Sequence, residues 1–122
     1  SDDVLAVIDF GHRRWPGAQL WLAGFSFGAW IAAGVAARAG CTRLITIAPP
    51  VARFDFNAFE APRCPWLIVQ GDADQLVNCS EVLRWAGSLA PAPTVQVMHG
   101  VDHFFHGRLT ELRAAVLAFA RE

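Results

Sequence analysis

Apolar positions recur along this chain in two rhythms, and the change from one to the other marks out its elements. Across residues 2–14, Val4, Leu5, Val7, Ile8 and Phe10 gather on one side of a helix, and Asp2 or Asp3 can cap its start. Trp15-Pro16-Gly17 ends it. Gln19 to Ala23 is a short apolar run suited to a buried strand. Gly28 to Ala39 is an Ala-rich helix stopped by Gly40, and Arg43 to Ala48 is a β-branched strand ending at Pro49-Pro50. Val51 to Pro65 has no clear period; it carries Phe54, Phe56 and Phe59 and reads as a loop. Trp66 to Gln70 is a third buried strand, followed by a polar loop, Gly71 to Asn78. Ser80 to Leu89 is a helix with Ser80 as its cap. Pro91 and Pro93 break the chain before a strand at Thr94 to Met98. A loop, His99 to Gly107, leads to a last amphipathic helix, Leu109 to Arg121.

The order α-β-α-β-loop-β-α-β-α, with strands that are almost wholly apolar, predicts an α/β fold: a parallel sheet covered by helices on both faces. Right-handed crossovers then bring the loops at the strands' carboxyl ends together, and functional residues are expected there.

Composition narrows the choices. The chain has 122 residues, 54% of them hydrophobic and 17% charged, enough for one domain with a core but not for two. A formal net charge of -1 gives no reason to expect nucleic acid or an acidic membrane surface as a partner. Cys41, Cys64 and Cys79 match no metal or redox spacing; each reads as a small buried or half-buried side chain, kept reduced in a cytoplasmic setting. No basic-then-apolar leader opens the chain, and no apolar run approaches the about 20 residues of a membrane span. The chain does not begin with Met, which suggests part of a longer protein.

The stretch Gly24-Phe25-Ser26-Phe27-Gly28 has the form G-x-S-x-G and falls where a strand-like run gives way to a helix-like one. A sharp turn at that junction lifts a serine hydroxyl to where a substrate can reach it. Side chains at 24 or 28 are expected to crowd that turn. The amide of Phe27, at the helix start, is a candidate donor to a developing oxyanion. By composition alone the pattern arises in roughly a few per cent of chains this size. Few such accidents would fall at a strand-to-helix junction.

A nucleophilic serine needs a base, and the base an orienting carboxylate. The loop Gly71-Asp72-Ala73-Asp74 and the loop from His99 to His106 both follow strands, so both lie at the right end of the sheet. Asp74, in mid-loop, is preferred to Asp72, which is expected to bond backbone amides and shape the turn. Among the histidines His103 is the candidate base: His99 sits close to its strand, His106 begins the next helix and His12 is a surface residue. Two phenylalanines after His103 can pack below it. Asp102 is given a structural role, and Trp30 is placed in the core. Of Phe54, Phe56 and Phe59, one could line an apolar acyl pocket instead of packing the loop. Nucleotide-binding glycine patterns and metal-ligand motifs are absent from the sequence.

Ser26, Asp74 and His103 in that chain order, with Ala48-Pro49-Pro50 after the second strand, resemble the α/β-hydrolase superfamily, in particular a small bacterial branch related to dienelactone-hydrolase-like proteins. The resemblance implies a nucleophile elbow at Ser26 and a catalytic triad with Asp74 as acid and His103 as base, without a cofactor. It departs from the dienelactone hydrolases, which carry cysteine as nucleophile, and from lipases, whose lid has no room after the second strand. It covers the C-terminal half of such an enzyme. The strands of the other half and the loop with a second oxyanion donor have no counterpart here. The expectation is a partial α/β-hydrolase fold acting on a small ester or thioester. The alternative is a hydrolase-fold fragment serving as a binding or interaction module. An exposed sheet edge at residues 19–23 would invite pairing with a second copy.

Overall fold

The computed structural model describes residues 2–122. Its elements are α1 (Asp2–Arg14), β1 (Trp21–Phe25), α2 (Phe27–Ala39), β2 (Arg43–Ile47), β3 (Trp66–Gly71), α3 (Cys79–Gly87), β4 (Thr94–Met98) and α4 (Leu109–Ala120). The four strands form one parallel sheet in sequence order, β1-β2-β3-β4. Residues 51–65 are turns and loop. The α/β fold class read from the sequence is the one observed.

Helices cover both faces, but unequally. On one face α2 and α3 pack over the sheet through Ala32, Ala33, Ala36, Val82 and Ala86 against Leu44, Trp66 and Ile68. Alanine at these helical positions lets α2 lie close to the strands. On the other face α4 alone supplies Leu112, Val116 and Phe119 against Ile45, Leu67 and Val69. The central strand β3 is buried along its whole length, which is why it reads as an unbroken apolar run. On β1 every second residue, Trp21, Ala23 and Phe25, is exposed. Among the described residues no strand pairs with the outer edge of β1.

Several boundaries differ from the pattern. β1 begins at Trp21, two residues later than the apolar run suggests, because its register with β2 runs from Trp21 opposite Arg43 to Phe25 opposite Ile47. It therefore ends directly at the elbow. The cap of α3 is Asn78, whose side chain accepts from the Glu81 amide at 3.1 Å, so Ser80 lies inside the helix. That helix ends at Gly87, not Leu89. Asp2 and Asp3 lie within the first turn of α1, where carboxylates complement the helix dipole, rather than at a cap position. α1 also buries less than its pattern promises. It packs through Val4, Leu5 and Ile8 on Val35 and Ala39 of α2, while Val7 and Phe10 remain exposed. No helix among the described residues is long and apolar enough to cross a membrane.

Candidate active site

Ser26 sits between the last residue of β1 and the first of α2. Its backbone adopts φ 55° and ψ -119°, a region that L-residues rarely occupy and that costs of order 1–3 kcal/mol. Two hydrogen bonds hold it there. The Ser26 amide donates to the Ile47 carbonyl at 2.8 Å, extending the β1–β2 ladder by one step, and the Ser26 carbonyl accepts from the Ala29 amide at 2.9 Å. Gly24 makes the turn possible, since a Cβ there would lie 2.1 Å from the Gly28 carbonyl oxygen. Gly28 itself faces open space, so the expected crowding applies to residue 24 and not to residue 28. Phe27 is the first helical residue, and its N–H has no acceptor within the helix.

His103 is 3% exposed and its ring bridges two of the other candidates. Nε2 lies 3.1 Å from Ser26 Oγ, and Nδ1 lies 2.7 Å from Asp74 Oδ2. A carboxylate can only accept, so Nδ1 carries the proton and Nε2 is left to accept from the serine hydroxyl. Phe105 packs buried beneath the loop, whereas Phe104 is 57% exposed, so only one of the two following phenylalanines lies below the histidine.

Asp74 has its carboxylate buried and fully bonded. Oδ1 accepts from the amides of Leu76 at 2.8 Å and Val77 at 2.7 Å, while Oδ2 accepts from Gln70 Nε2 at 3.2 Å as well as from His103. Asp72 does not reach this site. It accepts from the Gly100 amide at 2.7 Å and pairs with His99 Nδ1 at 2.8 Å, on the exposed side of the same two loops. The His99 ring, then the Gly100 amide, hold the Asp72 carboxyl below its ordinary range. Asp102 accepts from the His106 amide and pairs with the His106 ring, which shapes the turn; the amide bond, then the ring, lower its carboxyl. His106 lies in that turn, ahead of α4, and does not start the helix. His12 is exposed, yet its Nε2 reaches the Ala39 carbonyl at 3.2 Å and ties α1 to α2. Burial, then the charges of Asp72 and Asp74, push the Cys79 thiol up.

Two residues that set this geometry escaped the sequence reading. Gln70, fully buried, is the strut beneath Asp74; the signal was an amide at the end of the otherwise apolar run Trp66–Val69. Gly71 lets the two loops touch, because a Cβ there would sit 2.2 Å from the Val101 carbonyl oxygen. The same approach allows the Ala73 amide to donate to Val101 at 3.1 Å and the Asp72 amide to Met98 at 3.1 Å, so the loop carrying Asp74 is stitched to the one carrying His103. Trp30, assigned to the core from sequence, is half-buried at the rim and donates from Nε1 to the Asp55 carbonyl at 3.1 Å. A cleft of about 290 Å³ opens between residues 50–53 and 74–78; Asp74 lines it, Ser26 and His103 do not. No cluster of three or more metal-ligating side chains occurs among the described residues.

The α/β-hydrolase domain family matches residues 2–115. The chain belongs to the α/β-hydrolases. It is similar to a lidless α/β serine hydrolase from Xanthomonas campestris, at 42% identity and a TM-score of 0.93, with 98% of this chain covering 55% of that one. An α/β serine hydrolase homologue from Coxiella burnetii is 41% identical with a TM-score of 0.89, over 95% of this chain and 56% of that one. An uncharacterised protein of Rickettsia prowazekii is 32% identical over 93% of this chain and 52% of its own length. This α/β-hydrolase chain thus spans about half the length of the relatives it matches.

Proposed function

We propose that this chain carries the nucleophile, acid and base of a serine hydrolase that cleaves a small ester or thioester through an acyl-enzyme intermediate. The observation that carries the reading is the continuous bonding from Ser26 Oγ through the His103 ring to Asp74, with Ser26 in a strained elbow.

Each group has one part in the reaction. His103 Nε2 takes the hydroxyl proton as Ser26 Oγ attacks the carbonyl carbon. Asp74 fixes the tautomer and orientation of the ring and stabilises the imidazolium that forms. The Phe27 amide, at the positive end of α2, donates to the oxyanion of the tetrahedral intermediate. His103 returns its proton to the departing alcohol or thiol, leaving the acyl group on Ser26. A water molecule, deprotonated by the same nitrogen, then releases the acid and restores the serine. No step calls for a cofactor. The Phe27 amide is the one oxyanion donor proposed in these residues; a second is proposed to lie in the part of the relatives' length that this chain does not span. The outer edge of β1 is where strands of that part would pair.

Turnover of p-nitrophenyl acetate by the full-length protein tests the reading. Wild type is expected to show it and Ser26→Ala to lose it by about 10⁴-fold or more. Equal turnover by a folded Ser26→Ala variant would overturn it.

A further inference from the structure

The rings around Ser26 fall into two groups. Phe25 lies 5.1 Å from the His103 ring, and Phe104 lies 5.0 Å from it edge-on; these two also touch each other. Phe27, Trp30 and Phe54 form the second group. Trp30 stacks on Phe54 with centroids 5.0 Å apart, and Phe27 leans on Phe54 at 5.2 Å and on Trp30 at 5.8 Å. Among the described residues no aromatic contact joins the two groups.

The chemistry assigns the two groups different parts of a substrate. His103 must hand its proton to the leaving oxygen or sulfur, so the leaving group lies on the His103 side, against Phe25 and Phe104. The acyl group points away from the base, toward the side that begins at Phe27. We propose that the Phe27–Trp30–Phe54 surface is the acyl-binding site and that it takes an aromatic acyl group, of which benzoyl is the simplest. The inference rests on Ser26 being the nucleophile.

Three observations support it. Phe27 directly follows Ser26 in the chain and is 52% exposed, so a large ring next in sequence to the reacting residue stands open to solvent. An apolar ring left exposed in this way gains by covering. The Trp30 ring is already fixed, by its bond to the Asp55 carbonyl and its stack on Phe54, so little freedom is lost when a third ring joins. Aromatic pairs prefer offset-stacked or edge-to-face arrangements at centroid separations of about 4.5–7 Å; the three pairs of this surface, one stacked and two tilted, fall within that range.

The test compares p-nitrophenyl benzoate with p-nitrophenyl acetate in the full-length protein; the leaving group is the same, so only the acyl side varies. Phe54→Ala is expected to lower the benzoate-to-acetate ratio of kcat/KM about tenfold. Phe104→Ala, on the other side, is expected to change both esters by the same factor. Phe54→Leu keeps apolar bulk under the loop and reads the same ratio should Phe54→Ala not fold. If acetate turnover depends on Ser26 but the benzoate-to-acetate ratio is unmoved in the Phe54 variants, the acyl-site inference is wrong and the hydrolase reading stands. If neither ester is turned over in a Ser26-dependent way, the hydrolase reading falls and takes this inference with it.

Discussion

A buried carboxylate that accepts four hydrogen bonds is hard to replace. At Asp74 two backbone amides, the Gln70 amide and the His103 ring all donate, and the side chain is 1% exposed. An asparagine there would turn an NH₂ group toward one of these donors and release the imidazole from its tautomer. Asp74→Asn is therefore expected to lower kcat by about 10²–10⁴, whereas Asp72→Asn, whose partners are on the exposed side, should leave it within about twofold. Comparable losses in both variants would contradict the assignment. The same scale sets apart the two glycines of the elbow. Gly24→Ala drives a Cβ into the Gly28 carbonyl and should lower the thermal midpoint by several degrees, about 2 kcal/mol or more. Gly28→Ala meets nothing and, in the first turn of a helix, should be neutral or stabilising by up to about 1 kcal/mol. Both are checked by thermal denaturation.

Among the elements, much of the layout could be read from hydrophobic period, because buried parallel strands and their covering helices write it strongly. Trp66–Val69 is apolar without a break and is buried throughout; Arg43–Ile47 is β-branched and begins where the pattern places it. What could not be read depends on contacts across the sheet. The start of β1 follows from its pairing with β2, and the roles of Gln70 and Gly71 follow from how closely two loops distant in sequence approach. Asn78 outdoes Ser80 as a cap because its side chain meets an amide three residues on, and both residue types carry the same propensity. That Ser26, Asp74 and His103 come within reach of one another could be anticipated, because all three lie in loops at the carboxyl ends of parallel strands. Of the aromatic rim only the loop phenylalanines, Phe54 among them, could be suggested in advance, since exposure of Phe27 beside a half-buried Trp30 is a property of the folded chain.

One element-scale contact carries a pH dependence. Cys41, in the turn between α2 and β2, has its thiol pushed up to about 11 from 9.0, first by burial and then by the neighbouring Cys64. Its folded value is raised, so its contribution is intact below pH 9.0 and declines as pH rises toward about 11, where the unfolded chain ionises more readily. Unfolding in urea should show stability falling over that window, with a shallower fall in Cys41→Ala. An identical slope in the variant would place the titrating group elsewhere.

For the molecule as a whole, the central fact is convergence. Ser26 comes from the turn after β1, Asp74 from the loop after β3 and His103 from the loop after β4, and a parallel sheet brings all three carboxyl ends to one rim. Among the described residues the other side of β1 is open, with Trp21, Ala23 and Phe25 exposed, and relatives nearly twice as long share this half at TM-scores up to 0.93. The rim is thus the product of this half of the fold, and the claim that it houses an activated serine can be tested by a single covalent reaction. The full-length protein treated with a fluorophosphonate and read by peptide mass spectrometry is predicted to carry one adduct, on Ser26, absent from the Ser26→Ala variant. A folded protein in which Ser26 remains unlabelled, or in which label falls on another residue with Ser26 intact, would contradict the account.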